Sequence, residues 1–229
     1  LPNVDEKLEQ ARDPIKIKTL IADWNAVIQF GKGAVFFITV YLLFQTAMLI
    51  GFALDSQEAT FIKQHLNLTD KDYGLIVSLT GLGSLAGAGA AALAANKLKL
   101  NFYIGAGMLL TSVGYLFFYS SYSFLTATLS FIFLGFFMAF ANTGYATFFQ
   151  NNVPVEIMGR FGSVADMIQG IIQIVLTLIL GLTAEWFTLQ LVCQIFSAIS
   201  VLFAAILFIT VIIPSKKHYF KETTDIISG

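Results

Sequence analysis

Long uncharged apolar runs, broken by short polar stretches, dominate the pattern along this chain. No residue is charged from Ala34 to Leu54, and none from Gly74 to Ala95. A helix needs roughly 20 apolar residues to cross about 30 Å of hydrocarbon, so each run predicts one membrane span, at 34–54 and 74–95. From Leu100 to Val155 there is again no charge. As one helix that run would extend about 84 Å at about 1.5 Å per residue, so it must fold back. Ser120-Ser121-Tyr122-Ser123 is the turn signal, giving spans at 102–119 and 124–149. The stretch 161–213 is also too long for one crossing, and Ala184-Glu185-Trp186-Phe187 divides it into 161–183 and 188–213. The pattern predicts an all-α, polytopic membrane protein with six transmembrane helices.

Charge gives that bundle an orientation. With the two ends and the 96–101 and 150–160 loops go Lys7, Arg12, Lys16, Lys18, Lys32, Lys97, Lys99, Arg160, Lys216, Lys217 and Lys221; the opposite side has only Lys63 and Lys71. This positive-inside bias predicts two cytoplasmic termini in a multi-pass protein of the cell membrane. The chain divides into a cytosolic linker or amphipathic segment at 1–31, a six-helix transmembrane domain at 32–213 and a cytosolic tail at 214–229. No charged n-region, apolar h-region and cleavage site open the chain, so no signal peptide is expected. Residues 15–30 mix Lys with apolar residues and Trp24, which fits either an interfacial helix or a linker.

Composition narrows the function classes. Apolar residues make up 57% of the chain and charged residues 12%, against about 45–50% and about 25% in soluble domains. A soluble or disordered chain is excluded, and a net charge of −1 leaves no footprint for nucleic acid. The single Cys193 excludes an internal disulfide framework and a thiolate zinc cluster; it reads as an apolar filler. His65 and His218 both lie outside the spans, so no metal or cofactor is expected. An intramembrane protease would need a histidine base or an aspartate pair at membrane depth, and Asp166 has no such partner. A channel of broken half-helices is disfavoured because all four prolines fall outside the spans. The chain is therefore not expected to be an enzyme. Asn67-Leu68-Thr69 fits a glycosylation sequon, which is uninformative without a source.

Polar groups at membrane depth are costly and face protein or water. On span one, Tyr41, Gln45, Met48, Phe52 and Asp55 share a face; on span four, Phe131, Gly135, Met138, Asn142, Tyr145 and Phe149 do. Aromatics, Met and one amide suit an adaptable cavity for amphipathic ligands, although packing alone would also use such a face. Span five carries Asp166, Gly170, Gln173, Thr177 and Gly181 in one stripe, flanked by Gln169. Gly83 and Gly87 on span two have the GxxxG spacing of close helix packing. Asp166 reads either as a helix N-terminal carboxylate near Arg160 or as a proton site. Spans three and six are uncharged.

The loop Pro154-Val155-Glu156-Ile157-Met158-Gly159-Arg160-Phe161-Gly162-Ser163 resembles the stretch before the eleventh helix of major facilitator superfamily transporters. Asp55-Ser56-Gln57-Glu58-Ala59, Asp72-Tyr73-Gly74-Leu75 and Gly81-Leu82-Gly83-Ser84 look like the seventh-to-eighth helix region of that superfamily, most like bacterial macrolide-efflux-type members. Asn96 and Lys99 depart from the charge clamp usual after the second helix of a half. The resemblance implies the C-terminal six-helix half of a twelve-helix bundle, with the N-terminal half missing. It implies secondary active efflux of small amphipathic compounds, coupled to protons by antiport through alternating access, with the lipid bilayer as surroundings. A membrane scaffold without transport, or a carrier of other small polar solutes, is the competing reading. In the family scheme the first and fourth helices of a half line the cavity. The second and fifth meet the other half, and the third and sixth sit outside as supports. Tyr41, Gln45, Met48, Asn142 and Tyr145 are then expected to bind substrate. Pro154 would end span four's exit and Gly159 permit a tight turn into span five. Glu156, Arg160 and Asp166 would form a cytosolic gate.

Overall fold

A computed structural model describes residues 17–213, 219 and 220, with side chains from Trp24 onward. The predicted cytosolic segment before Ile17 and most of the 214–229 tail lie outside the described residues. So do Lys7, Arg12, Lys16, Lys216, Lys217, Lys221 and His218, and the side chain of Lys18. In chain order the helices are α1 Ile17–Gly33, α2 Val35–Asp55, α3 Glu58–Thr60, α4 Asp70–Ala94, α5 Leu100–Tyr119, α6 Phe124–Asn152, α7 Val155–Trp186 and α8 Leu189–Ile212. One π-helical turn, Phe61–His65, continues α3. Helices α2 and α4 to α8 are long and apolar enough to cross a membrane, so the six predicted spans are present. The links 56–69, 120–123 and 187–188 lie on what we term the distal face. The described residues nearest each end, Ile17 and Phe220, and the other links lie on the proximal face.

Short polar caps set the helix starts. Thr69 accepts from the Asp72 amide (3.2 Å) while the Thr69 amide donates to Asp72 Oδ2 (2.9 Å), a reciprocal box that opens α4. Ser123 and Thr126 do the same at α6, so the Ser120–Ser123 turn falls where the sequence predicts it. Two boundaries differ. The last pair of spans separates at Phe187-Thr188, because Ala184-Glu185-Trp186 stay helical until Phe187 turns extended and Thr188 caps α8. The 150–160 stretch is not a loop: α6 runs to Asn152, and Pro154 is already the N-cap of α7. Gly159 therefore lies inside a helix without a positive φ and makes no turn. The helix N-terminal carboxylate is Glu156, and Asp166 lies three turns further in.

Glycines set how closely the spans approach. A Cβ on Gly83 would meet the Ile132 carbonyl oxygen at 2.6 Å, and one on Gly87 the Phe136 oxygen at 2.2 Å. The GxxxG face of α4 thus packs on α6 inside this bundle rather than toward another half. Gly107 and Gly144 bring α5 and α6 together in the same way. Helix α5 is the most enclosed span, with 67% of its most apolar stretch buried, against 6% for α7. The expected supporting position of span three is therefore corrected. Its small residues and the Ser112–Ser200 hydrogen bond (3.0 Å) to α8 make it the hub of the bundle. An uncharged helix reads equally well as central or peripheral from sequence alone.

Helix α1 and the described tail residues pack on the proximal face. Phe30 of α1 packs edge-on against Phe37 of α2 (5.6 Å) and Phe161 of α7 (6.1 Å). In the tail, the Tyr219 carbonyl accepts from Asn152 Nδ2 (3.0 Å), and the Phe220 ring stacks on Phe148 at 5.4 Å.

Candidate functional site

An aromatic column rises from the proximal face where α2, α6 and α7 meet. Helical spacing puts Phe37, Tyr41 and Phe44 on one side of α2. Phe37 stacks on Phe148 of α6 at 5.4 Å, and Phe44 lies parallel to Tyr145 at 4.6 Å. Tyr41 bridges the two partner helices, 6.2 Å from Tyr145 and edge-on to Phe161 of α7 at 5.1 Å. Edge-to-face and offset rings of this kind contribute roughly 0.5–1.5 kcal/mol each beyond their buried area. The column is a preorganised wall rather than a loose cluster.

Beside the column runs a groove of about 220 Å³ between α2 and α7, also lined by Val27 of α1. Its lining is apolar except for Tyr41, Gln45, Thr46 and Gln169. Gln45 Nε2 donates to Gln169 Oε1 at 3.1 Å and reaches the Tyr41 hydroxyl at 3.4 Å. An apolar slot with a few convergent polar groups is what binding of an amphipathic molecule requires. Asp166 is exposed on α7, next to the groove-lining Ala165.

The expected substrate residues divide. Tyr41, Gln45 and Tyr145 come together, with Tyr41 and Gln45 lining the groove and Tyr145 backing it. Met48 packs into the core beside Phe44, and Asn142 is exposed on α6; neither lines the groove. Phe161 and Gln169 were missed as site residues. Eight positions apart, they fall near one face of a helix, a signal visible once α7 is known to begin at Val155. Of the expected gate, Glu156 and Arg160 are one turn apart and exposed on α7. Asp166 lies about 120° around the helix from Arg160 by helical geometry. Among the described residues, no group of three metal-ligating side chains converges.

A sequence profile of the Major Facilitator Superfamily matches residues 35–226, most of the chain and all six spans. The chain belongs to the major facilitator superfamily. No curated protein matches it. Membership places this chain among membrane transporters and accounts for an all-helical, multi-pass bundle. In this superfamily member, the first and fourth spans supply Tyr41 and Tyr145. The fifth span, α7, keeps an open flank on which a Cβ at Gly170 or Gly181 would touch nothing within 4 Å.

Proposed function

We propose that this chain is the C-terminal six-helix half of a proton-driven exporter of small amphipathic compounds, working by rocking against an N-terminal half around a midplane site. The observation that carries this reading is the groove between α2 and α7, apolar but for the Gln45–Gln169 pair and its Tyr41 wall. Tyr41, Gln45 and Tyr145 contact substrate, joined by Gln169 and Phe161. Asn142, exposed on α6, joins the cavity in the assembled bundle, and Met48 packs behind it. Asp166, next to the groove-lining Ala165, favours weakly basic compounds over acids and sugars. Glu156 and Arg160 form the proximal gate pair. The proximal face is cytosolic in a cell membrane. A scaffold without transport would have no use for two amides bridging a slot at membrane depth, which makes it the weaker reading.

The test is uptake of a fluorescent amphipathic cation, ethidium, into everted vesicles carrying the chain joined to a six-helix N-terminal half. An imposed proton gradient should drive uptake without ATP. Gln45→Leu and Gln169→Leu should each lower the rate several-fold at unchanged protein level. Transport that needs ATP and ignores the gradient overturns the reading. Unchanged rates in both variants would leave the amides as packing groups.

A further inference from the structure

At the distal end of α2, four elements close around two carboxyl groups. Asp55 is the last residue of α2 and Glu58 the first of α3. The backbone between them stays near-helical (Ser56 φ −61°, ψ −21°), so a spacing of three puts both side chains on one side. Tyr115 of α5, 2% exposed, donates its hydroxyl proton to Asp55 Oδ1 at 2.6 Å. Glu58 lies close enough to Asp55 and to Tyr73 of α4 for both to act on its carboxyl group. Next to them the π-helical turn drives Phe61 and Ile62, both 0% exposed, into the distal core against Phe118 and Tyr119. The two acids sit at the corner where this plug leaves α2.

We infer that Asp55 and Glu58 share one proton, and that this proton latches the 56–68 connector over the distal end of the bundle. Two carboxylates cannot hydrogen-bond to each other unless one carries a proton, and without it like charges push them apart. The groups facing the pair supply no countercharge: they are Tyr115 and Tyr119 from α5, Tyr73 from α4 and, beside Tyr119, Cys193 from α8. The nearby cation Lys63, on the connector itself, is ion-paired with Asp70. Burial first, then the neighbouring Asp55 charge, push Glu58 up to about 9. Glu58 is only partly exposed in the closed form; when the latch opens it is fully wetted and returns toward its ordinary value of 4.5. The closed form therefore binds the proton more tightly, and its advantage erodes as pH rises from 4.5 through about 9. Within that window each pH unit favours opening by about tenfold. The latch is a property of this chain alone and does not depend on any substrate.

The experiment uses the full chain in lipid nanodiscs with Cys193→Ala. Ile62→Cys reports opening through a membrane-impermeant maleimide, and Gln64→Cys, exposed on the same turn, corrects for thiol ionisation. The corrected rate should rise about tenfold per unit between about pH 5.5 and about pH 8.5. Glu58→Gln should abolish that slope, and Asp55→Asn should end it at a lower pH. A corrected rate without a pH slope, or the same slope in Glu58→Gln, overturns the latch. In the unsubstituted chain, infrared difference spectra should show a protonated carboxyl that persists at neutral pH and fades near 9. Absence of that band also overturns it.

Discussion

At the scale of single residues, small side chains decide this fold as much as large ones. Gly87 is the tightest example, since any Cβ there would fall 2.2 Å from the backbone oxygen of Phe136. A backbone atom cannot swing aside, so Gly87→Ala must push α4 away from α6 along a seam that includes Gly83 and Gly135. Overpacking of this kind costs about 1–3 kcal/mol. We expect Gly87→Ala to lower the thermal midpoint of the detergent-purified chain by several degrees, and Gly89→Ala, where nothing lies within 4 Å, to leave it unchanged. Equal midpoints for both would mean that α4 and α6 are not held at this distance. The GxxxG spacing was legible in the sequence because it is a local pattern. Its partner was not, because Gly83 and Gly87 could equally have served a contact with another half. Tyr41 and Gln45 were legible for the same local reason. Gln169 needed knowledge of which helix lies across from Gln45, 124 positions away.

Among elements, α7 departs furthest from what its sequence suggests. Glu156 and Arg160 make its first turns look like a loop, yet charges are harmless at an exposed helix start, and Pro154 is well suited to begin one. The α5–α6 turn was readable because Ser123 and Thr126 advertise their own cap. The α6–α7 corner carries no such box, and its charges point the other way. With α7 beginning at Val155, Glu156 precedes Arg160 by one turn, the favourable orientation for an ion pair on a helix. An exposed pair contributes only about 0–1 kcal/mol, so stability is not its test. If it holds an access state, Glu156→Arg and Arg160→Glu should each impair transport by the joined halves, and the double exchange should recover part of the loss. Additive losses with normal membrane insertion would leave Arg160 as a topology signal only.

For the whole molecule, the uneven burial of the spans is the most informative property. A bundle that were complete by itself would enclose its polar and small residues, as α5 does here. Helix α7 instead presents Gly170, Gln173, Thr177 and Gly181 along one stripe, flanked by exposed Ile174 and Leu178. Lipid demands none of these polar or small groups, whereas a second bundle approaching closely would use them all. Gly170 and Gly181 separate the two environments, because a Cβ added at either meets nothing within 4 Å in this bundle. Gly170→Trp and Gly181→Trp should therefore leave the folding and thermal midpoint of the isolated chain unchanged. In the chain joined to an N-terminal half, the same substitutions should weaken association of the halves and reduce transport, which split-half co-purification and vesicle uptake would both register. Full tolerance in the joined protein would mean that the α7 stripe faces lipid, and the partner surface would have to lie elsewhere on the half.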